Sequence, residues 1–339
     1  MTSDNSADAK PRKTAVSFTG GKDSMTVVNL LRDAYIALEA SSSWPEDARE
    51  AWTADLRSRL DSVAGCELAL LVTFVPVGAA PFKAHPLEIV KLQAAALGLP
   101  HLVMEVSAAP TFLDSYRDNI SRLRSEHGVE VLATGDMLDV CSSFMPRAAA
   151  GTGVQLLSPL WDIGRRLLLE LVWAYGMEPV ITCVNVTKFR VQQKEGAEEQ
   201  GQGQAQGQPE GTDACGAAAG SAGASSAGQA AAAGAPGDDK SGTPEAQAGA
   251  GAGAGAASED DYSGRLLGQR LTRQLHAAEL LPAVERFGVD EAGEWGEYHT
   301  MVLASRLFAA PLALGAHSPQ REGDYAYLAH TAPPQLQQQ

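Results

Sequence analysis

The chain has 339 residues, with 26 Lys and Arg against 41 Asp and Glu, a formal net charge of −15 at pH 7. So acidic a chain is a poor partner for a nucleic-acid backbone, and no direct nucleic-acid contact is expected. The four cysteines, Cys66, Cys141, Cys183 and Cys215, form no CxxC pair, which excludes a zinc ribbon and a disulfide framework; no apolar run is long enough for a membrane span, so a soluble, reducing, cytoplasmic setting is expected.

Residues 1–12 have no apolar leader core and are expected to be disordered. Residues 14–18 read as a buried strand, then come two glycines and a helix over 25–35. The polar stretch 37–60 has a helical pattern with Trp44 and Trp52 as packing anchors. The run ELALLVTFVPV at 67–77, bounded by Gly65 and Gly78, suits a strand covered on both faces. A helix over 85–97 stops at Gly98 and Pro100, and a strand follows over 101–106. A helix over 111–127 opens on a Thr cap and closes at Gly128. Strand 130–134 ends in Gly135-Asp136, helix 165–175 ends at Gly176, and 179–186 reads as the last strand. This alternation predicts an α/β fold with a doubly wound, mainly parallel sheet.

The domain plan that follows is an α/β domain over 13–190, then a Gly/Ala/Gln-rich insertion over 191–262. That composition has too little apolar surface to offset the entropy of ordering, so disorder is expected there. Residues 263–309 read as a small C-terminal α+β domain with a helix over 265–281. The tail 310–339, rich in Pro, Gly and Gln, reads as loosely ordered.

Chemistry concentrates in two stretches. The first is SFTGGKDS, Ser17 to Ser24, between a strand and a helix. Glycines there admit a tight turn. The helix N-terminus, the Lys22 ammonium and the hydroxyls of Thr19 and Ser24 would form an anion cradle suited to phosphate. The spacing is neither a Walker loop nor a dinucleotide fingerprint. The second stretch is GEWGEYHT, Gly293 to Thr300, where Glu294, Glu297, Tyr298, His299 and Thr300 are costly to bury without partners and so suit a wet, polar site. Asp136, at a strand end, falls at the same sheet edge as the first stretch. His85 before Pro86 is undecided between a cap and a site residue. Trp161 reads as a core aromatic.

SFTGGKDS resembles the PP-loop of the ATP pyrophosphatases in the adenine nucleotide alpha hydrolase group, with Thr19 in place of the usual first Ser. Together with Gly135-Asp136, Pro159-Leu160-Trp161 and GEWGEYHT, in that order, it resembles the diphthine–ammonia ligase (diphthamide synthetase) family over most of the chain outside the insertion. The resemblance implies a HUP-like fold that binds ATP and Mg2+. Ser17, Thr19, Gly20, Gly21, Lys22, Asp23, Ser24 and Gly135 would hold the nucleotide, and Asp23 and Asp136 the metal.

It further implies catalytic roles for Lys22, Asp23, Asp136, Glu294 and Glu297, and acceptor contacts from Tyr298, His299, Thr300 and Arg147. Translation elongation factor 2 carrying diphthine would be the protein substrate and ammonium the nitrogen source. After Asp136 the chain departs from the family's D-x-x-R-x-x-x-E pattern and offers only a displaced Arg147. Two other readings stand beside this one: a PP-loop enzyme that adenylates a small metabolite or transfer RNA, and a nucleotide-binding regulator without turnover.

Overall fold

The structure, a computed structural model, describes residues 10–78, 82–139, 141–190, 262–330 and 335–336. The strand β1 (Arg12–Ser17) runs into the glycine turn and helix α1 (Lys22–Arg32). Helices α2 (Ala34–Ala40) and α3 (Glu46–Val63) follow; Trp44 and Trp52 meet edge to face at 5.8 Å between them. Next come β2 (Cys66–Pro76), α4 (Leu87–Ala96), β3 (His101–Val106), α5 (Phe112–His127) and β4 (Val131–Ala133). The ends of α5 follow from its sequence: Thr111 Oγ1 accepts the Asp114 N–H, and Gly128 closes the helix in the left-handed region at φ 66°. Helix α6 (Phe144–Ala149), β5 (Gln155–Leu157) and α7 (Arg165–Ala174) complete this part.

Five strands form one all-parallel sheet in the order β3-β2-β1-β4-β5, flanked by helices as in an α/β doubly wound fold. Neighbouring residues divide between two cores, as the strand period of two requires. Val16, Leu71 and Ala133 join the core built with α1, α4 and α7, whereas Ala15, Leu70 and Leu132 join the one built with α5 and α6.

The strand β6 (Pro179–Asn185) lies outside that sheet, contrary to the expectation from its sequence. It pairs with β7 (Tyr298–Val302) and β10 (Tyr325–His330) in an antiparallel sheet ordered β7-β6-β10-β9, whose last strand is β9 (His317–Glu322). All seven β6 residues are buried. A continuous apolar run reports coverage on both faces and is silent on which partners provide it.

The single helix expected over 265–281 is broken. Helix α8 (Ser263–Leu266) ends before Gly268 at φ 81°, and Arg270 bridges to Val180. A new start at Thr272, which caps the turn α9 (Arg273–Leu275), leads through a π-helical turn into α10 (Leu281–Phe287).

The tail is also more ordered than its composition suggests. β8 (Leu312–Ala313) pairs with β11 (Gln335–Leu336), and β9 (His317–Glu322) forms a hairpin with β10 about Gly323. Ala326 and Leu328 of β10 are buried, an alternation too short to stand out. The disorder expected over 1–12 and 191–262 falls outside the described residues except at its edges. There Arg12 opens β1, and Tyr262 is buried with its ring stacked on Phe189.

Candidate active site

In the order β3-β2-β1-β4-β5 the connections change direction between β1 and β4, and such a switch point opens a crevice beyond the carboxyl ends of the strands. A cleft of about 530 Å³, counted out to open solvent, lies there. Ser17, Thr19, Gly21, Lys22, Asp23 and Ser24 line it from the β1 side, and Thr134, Gly135 and Asp136 from the β4 side. The two sides touch closely: a Cβ on Gly135 would lie 3.0 Å from the backbone of Asp23 and Ser24.

Gly20 takes φ 76°, which turns the chain from β1 into α1. Its carbonyl accepts from Gln93 Nε2 at 2.9 Å and from the Val302 N–H, so it faces the protein rather than the cleft. Gln93 Nε2 also reaches the Val302 carbonyl at 2.7 Å. The loop is thereby clamped to β7, whose Thr300 Oγ1 accepts the Lys22 N–H at 3.2 Å. Thr19 and Ser24 pair through their hydroxyls at 3.3 Å.

Lys22 is the centre of the cleft's electrostatics. Its side chain is 6 % exposed, and its Nζ lies 2.8 Å from Glu294 Oε1 and 2.9 Å from Asp23 Oδ1. Burial alone would lower the lysine pKa, but the carboxylates of Asp23 and Glu294 outweigh it, so the ammonium is held well above its ordinary range. Burial pushes the Glu294 carboxyl up while Lys22 pulls it back. Burial also raises Asp136, with the Asp23 charge adding and a hydrogen bond to Thr134 opposing. The two imidazoles nearby stay neutral: His85 is lowered to about 3 by burial, then by His299 and Lys22, and His299 to about 4 by burial and Lys22.

The GEWGEYHT element supplies the cleft's other wall through Gly293, Tyr298, His299 and Thr300. Gly293 and Gly296 both take φ 80°, and a Cβ on Gly293 would meet the Tyr298 ring at 3.0 Å. The Tyr298 hydroxyl donates to the Glu291 carbonyl at 2.7 Å. Glu297 corrects its expected catalytic role. Its two oxygens accept the Asp290 and Trp295 N–H groups at 3.1 and 2.9 Å, so this carboxylate braces its own loop and does not line the cleft.

Arg147 is a second correction. It is exposed on α6 and does not line the cleft; the segment before it folds on itself, with Asp139 accepting from the Ser143 N–H and hydroxyl. Trp161, expected in the core, is 47 % exposed at a separate shallow groove with Arg59 and Asp162. The structure adds Thr134 and His85 to the cleft. The strand-end position of Thr134, one residue before Gly135-Asp136, was the available signal.

Among the described residues no group of three or more His, Cys, Asp or Glu side chains forms a metal cage. Magnesium, however, is commonly held by one or two carboxylates with phosphate oxygens and water. Asp23 and Asp136 fit that role: both line the cleft, one from the β1 side and one from the β4 side. No family model matches the chain, and no curated protein matches it.

Proposed function

We propose that the chain is a cytoplasmic ATP-dependent amide ligase of the PP-loop type, with a HUP-like α/β domain and a small C-terminal α+β domain. It would convert diphthine on translation elongation factor 2 to the amide with ammonium, releasing AMP and pyrophosphate. One contact carries the reading: Lys22 of SFTGGKDS meets Glu294 of GEWGEYHT at 2.8 Å. The two stretches that bear the family resemblance are thus halves of one cleft.

A carboxylate is a poor electrophile, and its oxygen is a poor leaving group. The acceptor oxygen attacks the α-phosphorus of ATP, forming a P–O bond as the bond to pyrophosphate breaks. Ammonia then forms the C–N bond, the C–O bond to AMP breaks, and the nitrogen gives up its surplus proton. Lys22 and the N–H groups opening α1 bind the phosphates and stabilise their developing charge. Asp23 and Asp136 would hold a magnesium ion, which supplies further neutralisation of phosphate charge. Glu294, buried against Lys22, holds the lysine ammonium in place, and the proton lost by the nitrogen passes to water in the cleft.

The test is release of pyrophosphate and AMP from ATP, Mg2+ and ammonium, with and without elongation factor 2 carrying diphthine. Release that needs this factor and disappears in Lys22→Ala is the expected result. Release independent of the factor sends the search to another acceptor; none at all favours a nucleotide-binding regulator.

A further inference from the structure

His85 lies in the loop between β2 and α4, and its segment is fixed by the Thr182 hydroxyl, which donates to the Ala84 carbonyl at 2.8 Å. The imidazole is stacked on Phe82 at 6.0 Å and meets His299 edge to face at 5.6 Å. Its Cε1, the carbon between the two ring nitrogens, is 3.2 Å from the position a Cβ on Gly21 would take, so this edge of the ring is turned toward the glycine loop. Nδ1 lies 3.2 Å from the Met301 sulfur. A thioether can only accept, so the proton belongs on Nδ1 and Nε2 presents a bare lone pair. That Nε2 is buried in the wall of the cleft without a partner.

A buried acceptor without a donor is costly, and the ligand that completes this site brings an N–H or O–H group. The surrounding charge narrows the choice. Two carboxyl groups, Asp23 and Asp136, line the cleft beside one ammonium group, that of Lys22, whose charge is already met by Asp23 and the buried Glu294, which favours a small cation. The neutral state of both rings leaves room for it. Resting on the ligase reading, we infer that His85 is a positioning residue for the amine substrate: its Nε2 accepts a hydrogen bond from ammonium, and from the ammonia formed from it, beside the glycine loop. The hydrogen bond fixes one N–H and leaves the nitrogen lone pair, once the proton is lost, free to face the acyl carbon.

Two arms test this in the full chain. In the kinetic arm, His85→Phe keeps an aromatic ring against Phe82 and removes the acceptor. It raises the ammonium concentration needed for half-maximal rate by about tenfold or more, while half-saturation by ATP and acceptor-dependent pyrophosphate release without ammonium change less than about twofold. His85→Gln, which restores an acceptor, recovers most of the loss. A rise in the ATP requirement instead, erased with 2′- or 3′-deoxy-ATP, would assign Nε2 to a ribose hydroxyl and overturn the inference.

The second arm needs no turnover. Histidine-labelled protein is titrated with ammonium chloride and, as control, potassium chloride, an ion of similar size that cannot donate. The 15N resonance of His85 Nε2, identified by its loss in His85→Phe, moves with ammonium and not with potassium. A resonance that ignores ammonium, with and without ATP and Mg2+, sinks the inference. A resonance that responds in a protein showing no factor-dependent pyrophosphate release sinks the ligase reading and leaves the ammonium site standing.

Discussion

At the scale of single residues, the cleft is governed by one buried cation and its two carboxylate partners. With its side chain only 1 % exposed, Glu294 depends on Lys22 for neutralisation. Lys22→Met therefore leaves a buried charge unpaired, an expected loss of about 3 kcal/mol of stability in chemical denaturation. The double variant Lys22→Met/Glu294→Gln recovers most of that loss, yet both variants lose binding of magnesium pyrophosphate by calorimetry, which separates the structural part of the pair from its anion-binding part. His85 gives a pH signature of known sign. Its folded pKa of about 3 lies below its ordinary 6.5, so the unfolded chain binds the extra proton in that window and stability falls as pH falls. The full contribution is present above pH 6.5, and about 2 kcal/mol of it is lost between pH 7 and 5. In His85→Phe that portion of the acid sensitivity is absent, which denaturation midpoints at the two pH values would measure.

Elements set the width of the cleft. The end of β4 approaches the first turn of α1 with only Gly135 between them, and any side chain there meets the Asp23 and Ser24 backbone, which has no flexible end to yield. Gly135→Ala is expected to push the start of α1 aside at a stability cost of about 1–3 kcal/mol and, on the proposed ligase reading, to weaken magnesium-ATP binding by about tenfold or more. Binding isotherms and thermal unfolding of the same samples would show both. An unchanged isotherm would mean that the opening of α1 does not contact the phosphates. The opposite wall is set by Gln93, whose single amide holds the Gly20 and Val302 carbonyls and so ties the glycine loop to β7.

For the whole molecule, the important fact is that the second sheet joins distant parts of the chain. β6 pairs with β7 and β10, across the segment 191–261, and thereby brings Thr300 beside Lys22. The ends of that segment return to one place, since Phe189 and Tyr262 stack at 5.7 Å with their planes 3° apart. Deleting residues 196–258 leaves 191–195 and 259–261 to span this short gap, and a shorter loop costs less entropy to close. On the proposed ligase reading, the deletion protein is expected to bind magnesium-ATP with the affinity measured for the full chain, with a melting temperature equal or slightly higher. A folded deletion protein without nucleotide binding would mean that the removed residues contribute to the site.

The parallel sheet was legible because its signals are local. Apolar strands such as 67–77, the Thr111 cap, the Gly128 stop and the glycines of SFTGGKDS each carry their meaning within a few residues, and helices between strands imply a sheet covered on both faces. Lys22, Asp23, Ser24 and Asp136 could be gathered from sequence because strand ends on a parallel sheet share one edge. Long-range pairing lay beyond the same reasoning. Whether β6 extends the first sheet or builds a second depends on partners more than a hundred residues away, and β9 and β10 gain their order from that pairing, not from composition. Tertiary structure alone separated two carboxylates three residues apart, turning Glu294 to Lys22 and Glu297 back onto its own loop. It also sent Arg147 to the surface and His85 into the cleft. Residue type tells what chemistry a side chain can perform, whereas its partners, and hence its role, are fixed only when distant segments pack.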